Sequence, residues 1–208
     1  MKKRHFTLLF CLMTLTAAVC FSAEPNAAAV SAFQGYLDNN GLRARWADGP
    51  MRTLESPELS KAYGNRQFLF TYKGAPLPPG APMPELIARH KLQLEEYRKH
   101  SLRLTVGIDG AQKVTAYQKA ADFNTGLMPV KNEVDAKTAT AAILSLMGDD
   151  KVHPEVVSAN QVTVTATRSG WIGKASRPRN FDGQVVFDPN GKVVSATKRL
   201  NYVPPMPP

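Results

Sequence analysis

The segment Leu102-Arg-Leu-Thr-Val-Gly-Ile108 is followed by the turn Asp109-Gly110 and then by Val114-Thr-Ala-Tyr-Gln118. Apolar and polar residues alternate strictly in the first segment, which is typical of a β-strand with one buried face. An Asp-Gly pair between two such segments is a strong signal for a β-hairpin. Because a tight turn reverses the chain, these two strands are predicted to pair antiparallel.

A second hairpin is predicted near the C-terminus, where the turn Asp188-Pro-Asn-Gly191 separates Gly183–Phe187 from Lys192–Thr197. The two hairpins resemble each other between Val106–Val114 and Val186–Val193. Either an internal duplication or the independent use of an Asp/Asn-Gly turn explains this resemblance.

The remaining pattern mixes helices and strands along the chain. Capping residues and apolar periodicity predict helices over 26–39, 56–63, 85–99 and 132–147. Strands are predicted over 67–73 and 161–167, which are rich in aromatic or β-branched residues, and over 42–46, where apolar and basic residues alternate. We therefore expect an α+β fold in a single domain, with a mainly antiparallel sheet of five to seven strands and helices packed on one face.

The N-terminus predicts an exported protein. Lys2-Lys3-Arg4 precedes an apolar run over 6–21 and the small residues Ser22-Ala23, the three parts of a cleavable signal peptide. Cleavage is expected near residue 22–23, which places the mature chain in the periplasm. A lipoprotein acylated at Cys20 is the less favoured alternative. We expect attachment to a membrane only in that case.

These features divide the chain into a signal peptide at 1–23, a domain over 24–200 and an extended Pro-rich tail at 201–208. Five prolines within 74–84 predict a surface connector inside the domain. Both cysteines, Cys11 and Cys20, lie in the signal peptide. The mature domain is therefore expected to contain no disulfide.

Basic charge is concentrated at the C-terminal end. The full chain has a net charge of +9, and residues 156–208 hold seven basic and two acidic side chains. Such asymmetry points to acidic partners. Nucleic acid is disfavoured as a partner because of the export signal.

The strongest candidate for a functional surface is a basic segment between two predicted strands, interpreted as a loop over 168–179. It contains one tryptophan and four cations without an acid, and arginine beside tryptophan suits the recognition of carboxylates and phosphates. The alternative is a solvated loop whose tryptophan covers one end of the core. The predicted binding residues are Arg168, Trp171, Lys174, Arg177 and Arg179.

Catalytic signatures are weak, so an enzyme is the less favoured class and no cofactor is predicted. Asp149, Asp150, His153 and Glu155 cluster without a closed zinc spacing. The function predicted best is a periplasmic binding or accessory protein that docks an acidic protein or envelope polymer. An inhibitor or immunity protein for a secreted enzyme is one alternative. The other is an envelope hydrolase with a histidine-centred site that uses His90, His100 or His153.

Overall fold

The computed structural model describes residues 25–46, 49, 51–72, 84, 103–147, 156–177 and 181–200. This part of the chain forms α-helices and two four-stranded antiparallel sheets. The predicted α+β class with antiparallel strands is confirmed. The eight strands are divided between two sheets, however, and do not form the single sheet of five to seven strands that we expected.

Side chains at the predicted capping positions begin three of the helices. Asn26 Oδ1 accepts a hydrogen bond from Ala28 N at 2.8 Å, Ser56 Oγ from Leu59 N at 3.0 Å, and Asn132 Oδ1 from Asp135 N at 2.9 Å. Each cap satisfies a backbone N–H that has no partner within its own helix. The α-helices bounded within the described residues are α1 (Ala27–Asn39), α2 (Arg43–Trp46), α3 (Pro57–Tyr63) and α4 (Glu133–Leu146).

Both sheets follow the order of the chain. The first contains β1 (Arg52–Thr53), β2 (Gln67–Tyr72), β3 (Arg103–Ile108) and β4 (Val114–Ala116). The second contains β5 (Val162–Thr167), β6 (Gly170–Arg177), β7 (Phe181–Phe187) and β8 (Val193–Leu200).

The first sheet is covered on both faces. Leu104, Val106 and Ile108 of β3 share a core cluster with α1, while Phe68 and Phe70 of β2 share another with α3 and α4. All six residues of β3 are therefore buried. The alternation in the sequence predicted only one buried face for this strand. The second face is buried because other elements of the fold cover it, and the residue pattern of the strand itself does not reveal them.

The second sheet has helix α4 on one face. Val185 and Phe187 of β7 are fully buried on this inner face. Gly183 is beside Leu144, and an added Cβ at Gly183 would lie 2.6 Å from Leu144 Cδ2. A strand position without a side chain thus lets the helix approach the sheet closely.

Two aspartates build the same turn in the two sheets. Asp109 Oδ1 accepts from Ala111 N at 3.0 Å and Lys113 N at 2.9 Å. Asp188 Oδ1 accepts from Asn190 N and Lys192 N, both at 2.9 Å. Both predicted hairpins are therefore present, and in both turns the aspartate side chain adds hydrogen bonds to those of the backbone.

Two local predictions were wrong. Residues 42–46 were expected to form a strand, but Trp46 N donates to Leu42 O at 3.1 Å and α2 forms there. Residues 168–179 were expected to form a loop, but 170–177 form strand β6. β6 pairs with β5 on one side and β7 on the other, and this pairing outweighs the low strand propensity of its glycines.

Several predicted segments lie outside the described residues: the signal peptide, most of the connector at 74–84, the helix over 85–99 and the tail at 201–208. Of the helices that are described, none has both the length and the apolar composition that a bilayer span requires.

Candidate functional site

The candidate site is the outer face of the second sheet, the face opposite α4. The inner face takes the buried alternate residues of β7, so the intervening residues of each strand face outward. The register aligns these residues in rows across the sheet. One row contains Thr163, Lys174, Gln184 and Thr197, and the next contains Ser176, Asp182 and Arg199.

These two rows line a shallow depression of about 450 Å³. Lys174, Ser176, Asp182, Thr197 and Arg199 are all exposed. Two cations against one carboxylate make this surface basic, and its hydroxyl and amide groups can both donate and accept hydrogen bonds. The arrangement suits recognition of a polar, anionic surface.

A third outward-facing row is partly apolar. Ile172 and Val186 are cross-strand neighbours, flanked by Thr165 and Ser195. Both apolar side chains are half-buried. They provide a small contact area beside the charged depression.

Trp171 lies on the inner face of the sheet. It is opposite Ala166 in β5 and Phe187 in β7, half-buried and packed against the main core. This position matches the alternative in which the tryptophan covers one end of the core. Because successive side chains of a strand alternate in direction, Trp171 and Lys174 point to opposite faces of β6.

The cations of the basic segment are spread along β6. Arg168 is exposed in the turn before the strand, Lys174 lies on the outer face, and Arg177 is exposed at the far end. Arg168 and Arg177 are separated by roughly 30 Å of extended chain. Arg179 lies outside the described residues. Arg168, Lys174 and Arg177, the described cations of this segment, therefore do not form one loop cluster.

Sequence reasoning missed most of the outer face, namely Thr163, Ser176, Gln184, Thr197 and Arg199. One signal was available, because Thr163, Thr165 and Thr167 alternate with apolar residues in the predicted strand. Because residues 168–179 were interpreted as a loop, the strand pairing that places those threonines on the same face as Arg199 was not predicted.

A second depression of about 640 Å³ lies beside α3 and β2. Its Ser56 hydroxyl already caps α3, and Arg66 lies 3.8 Å from the Asp109 carboxylate at its edge. These groups are engaged in holding the fold, so this depression offers less free binding chemistry than the outer face.

Titratable groups with shifted pKa values belong to the core or to a surface ion pair. Burial raises the pKa of Tyr117 to about 12 and that of Tyr63 well above its usual value. The hydrogen bond from Arg43 lowers the pKa of the exposed Asp38 carboxyl. These shifts follow from packing and pairing, and none of the three groups lines the outer-face depression.

Within the described residues, no group of three or more histidine, cysteine, aspartate and glutamate side chains is placed to hold a metal ion. His90, His100 and the cluster of Asp149, Asp150, His153 and Glu155 lie outside the described residues.

The chain was also compared with known proteins. It matches no family model, no curated protein sequence and no solved structure.

Proposed function

We propose that this chain is a non-catalytic, exported binding or accessory protein that docks an acidic partner on the outer face of its second sheet. The observation that carries the proposal is the exposed polar surface around the depression. Its lining contains two cations, Lys174 and Arg199, and one carboxylate, that of Asp182. The partner is an acidic protein or an acidic envelope polymer.

The charge distribution supports this proposal. Residues 156–208 contain seven basic and two acidic side chains, and the described part of that region forms the second sheet and its turns. Arg168, Arg177 and Lys192 are exposed around the margin of this sheet. Such a surface attracts an anionic partner at long range, while Lys174 and Arg199 pair with its anionic groups at contact.

This proposal changes the role of Trp171. A tryptophan packed against the core cannot serve as the desolvated anchor on the opposite face. Ile172 and Val186 are the apolar groups closest to the charged rows on the outer face. We therefore expect recognition by Lys174 and Arg199, with the contribution of Trp171 limited to the stability of the sheet.

Export is the second part of the proposal, and it rests on residues 1–23. The basic start, the apolar run and the small residues Ser22-Ala23 are those of a signal peptide. Expression with this N-terminus in a bacterial host, followed by fractionation and mass determination, tests it. Recovery of uncleaved protein in the cytoplasm would contradict this part alone.

The binding proposal is tested by co-purification from a periplasmic extract with the double variant Lys174→Glu and Arg199→Glu. We expect the unaltered protein to retain an acidic partner and the variant to lose it, with affinity reduced by at least about tenfold. Affinity for the unaltered protein should also fall as salt is added.

A matched control is the double variant Lys119→Glu and Lys131→Glu, which reverses the charge at two exposed lysines outside the second sheet. The control should retain the partner. If both double variants retain it equally, the outer face is not the binding surface. A variant of Arg168 and Arg177, both changed to alanine, then tests the two ends of β6.

A further inference from the structure

Strand β5 forms an edge of the second sheet and pairs only with β6 among the described strands. Thr167 is opposite Gly170, and only two residues lie between them, so this pair is hydrogen-bonded. Alternation along the strand then directs the backbone N–H and C=O groups of Val164 and Ala166 away from the sheet. No backbone group among the described residues bonds to them there.

The side chains of β5 leave this edge unprotected. The strand Val162-Thr-Val-Thr-Ala-Thr167 contains neither a charged residue nor a proline. The opposite edge strand, β8, carries Lys198 and Arg199, residues of the type that discourages pairing between edges. A regular, uncharged edge of six residues is a template for an additional strand.

The Pro-rich stretches of this chain are poor candidates for that additional strand. Residues 74–84 contain five prolines and residues 201–208 contain four. Proline has no backbone N–H, so about half of the positions in these stretches lack the donor that a ladder requires. A strand that adds to the edge of β5 would therefore need a different composition.

We propose that the edge of β5 pairs antiparallel with β5 of a second copy of this chain, around a two-fold axis at Thr165. Directly opposed residues in an antiparallel pair lie on the same face of the sheet. Pairing centred on Thr165 satisfies this condition. Thr163 is then opposite Thr167 of the other copy, both on the outer face, and Val164 is opposite Ala166, both on the inner face. The outward N–H and C=O groups of Val164 and Ala166 thereby bond to their counterparts.

The chemistry of this register favours self-pairing. The outer face acquires a row of threonine–threonine pairs, which are favourable cross-strand neighbours. The strand brings no like charges opposite each other, since Arg168 lies beyond its end and roughly 20 Å from Arg168 of the second copy. On the inner face, the exposed Ala166 and the half-buried Trp171 are covered by the second copy.

The consequence is one continuous sheet of eight strands with the two outer faces side by side. Lys174 and Arg199 are then present twice on one surface, so an acidic polymer or an acidic protein with two sites could contact both copies. The pairing itself does not depend on the proposed function, because it is measured without any partner.

Cysteine cross-linking tests the register. The full chain with Cys11 and Cys20 replaced by serine serves as the background, so that an introduced cysteine is unique. Thr165→Cys should form an intermolecular disulfide on mild oxidation, because opposed residues at this position have a Cα separation of about 4.5 Å. Thr163→Cys and Thr167→Cys should each remain uncross-linked alone and become cross-linked when the two proteins are mixed.

Sedimentation velocity from about 10 μM to about 1 mM tests the association itself. Pairing of two short edges buries less than the roughly 1,200 Å² of a stable complex, so we expect a dissociation constant on the order of 100 μM. Thr165→Lys opposes two cations at the axis and should remain monomeric. Thr197→Lys, on the outer face of β8, should dimerise like the unaltered chain.

The outcomes separate the proposal from its rivals. A monomer at every concentration, or equal cross-linking at all three single-cysteine positions, would overturn it. Equal dimerisation of Thr165→Lys and the unaltered chain would place the interface elsewhere. If the chain is monomeric but binds an extended peptide that protects the amides of Val164 and Ala166 from exchange, the edge accepts a foreign strand and self-pairing is wrong.

Discussion

The guanidinium of Arg103 in β3 donates a hydrogen bond to the backbone carbonyl of Ser145 at 2.8 Å, at the C-terminal end of α4. It also donates to the carbonyl of Met147 and lies over the ring of Phe70, with 5.8 Å between Cζ and the ring centroid. From the second sheet, Lys198 Nζ donates to Leu144 O at 2.9 Å. A cation from each sheet thus donates to backbone carbonyls at the C-terminal end of α4. These carbonyls have no N–H partner within the helix, and the helix dipole favours positive charge there.

Replacing Arg103 by methionine should destabilise the fold by about 2–4 kcal/mol. The substitution keeps much of the side-chain volume but leaves buried carbonyls at the end of α4 without a donor. Urea unfolding followed by circular dichroism measures the change. Lys113→Met, at an exposed lysine, is the control and should change stability by less than about 0.5 kcal/mol. Equal stability of Arg103→Met and the unaltered chain would show that water or other groups satisfy these carbonyls.

Gly173→Ala should destabilise the contact between α4 and β6. An added Cβ at Gly173 would overlap the side chain of Thr140, which is fully buried. Overpacking of this kind costs about 1–3 kcal/mol. Gly110→Ala is the control because no atom lies within 4 Å of its added Cβ. Thermal unfolding should show a lower midpoint for the Gly173 variant alone, and similar midpoints for both variants would contradict the tight contact.

Gly35→Ala should have the opposite effect and stabilise the chain by about 0.5–1 kcal/mol. Gly35 lies inside α1, and an added Cβ meets nothing within 4 Å. Alanine reduces the conformational freedom of the unfolded chain and favours the helix. Urea unfolding of this variant measures the gain. A loss of stability would indicate that a further group packs against this face of α1.

Stability should fall as the pH rises above about 10, the ordinary pKa of a tyrosine. Burial raises the pKa of Tyr117 to about 12, so the folded chain retains a proton that the unfolded chain releases. The stabilisation from this group is fully present below about pH 10 and is lost as the pH rises toward about 12. The loss over these two pH units is on the order of 2–3 kcal/mol.

Unfolding by urea at about pH 9 and about pH 11 measures this dependence. Tyr117→Phe cannot ionise and should show a smaller pH effect than the unaltered chain. Tyr63, whose pKa burial also raises, should account for part of the remaining effect. An identical pH dependence in the Tyr117 variant would show that this hydroxyl does not titrate in the expected window.

The sequence by itself determined the features that short-range contacts control. The caps at Asn26, Ser56 and Asn132 and the turns at Asp109 and Asp188 were all predictable, because each side chain bonds to backbone within four residues. The α+β class followed from these local signals, since tight turns impose antiparallel pairing.

The tertiary structure decided everything that depends on distant partners. Residues 170–177 contain two glycines and several polar side chains, and they form a strand because β5 and β7 supply hydrogen bonds on both sides. Only that pairing places Trp171 against the core and Lys174 on the opposite face with Arg199. The same reasoning applies to β3, whose second buried face depends on α3 and α4. Local sequence encodes local hydrogen bonds, whereas the covering of a sheet face arises from residues far away in the chain.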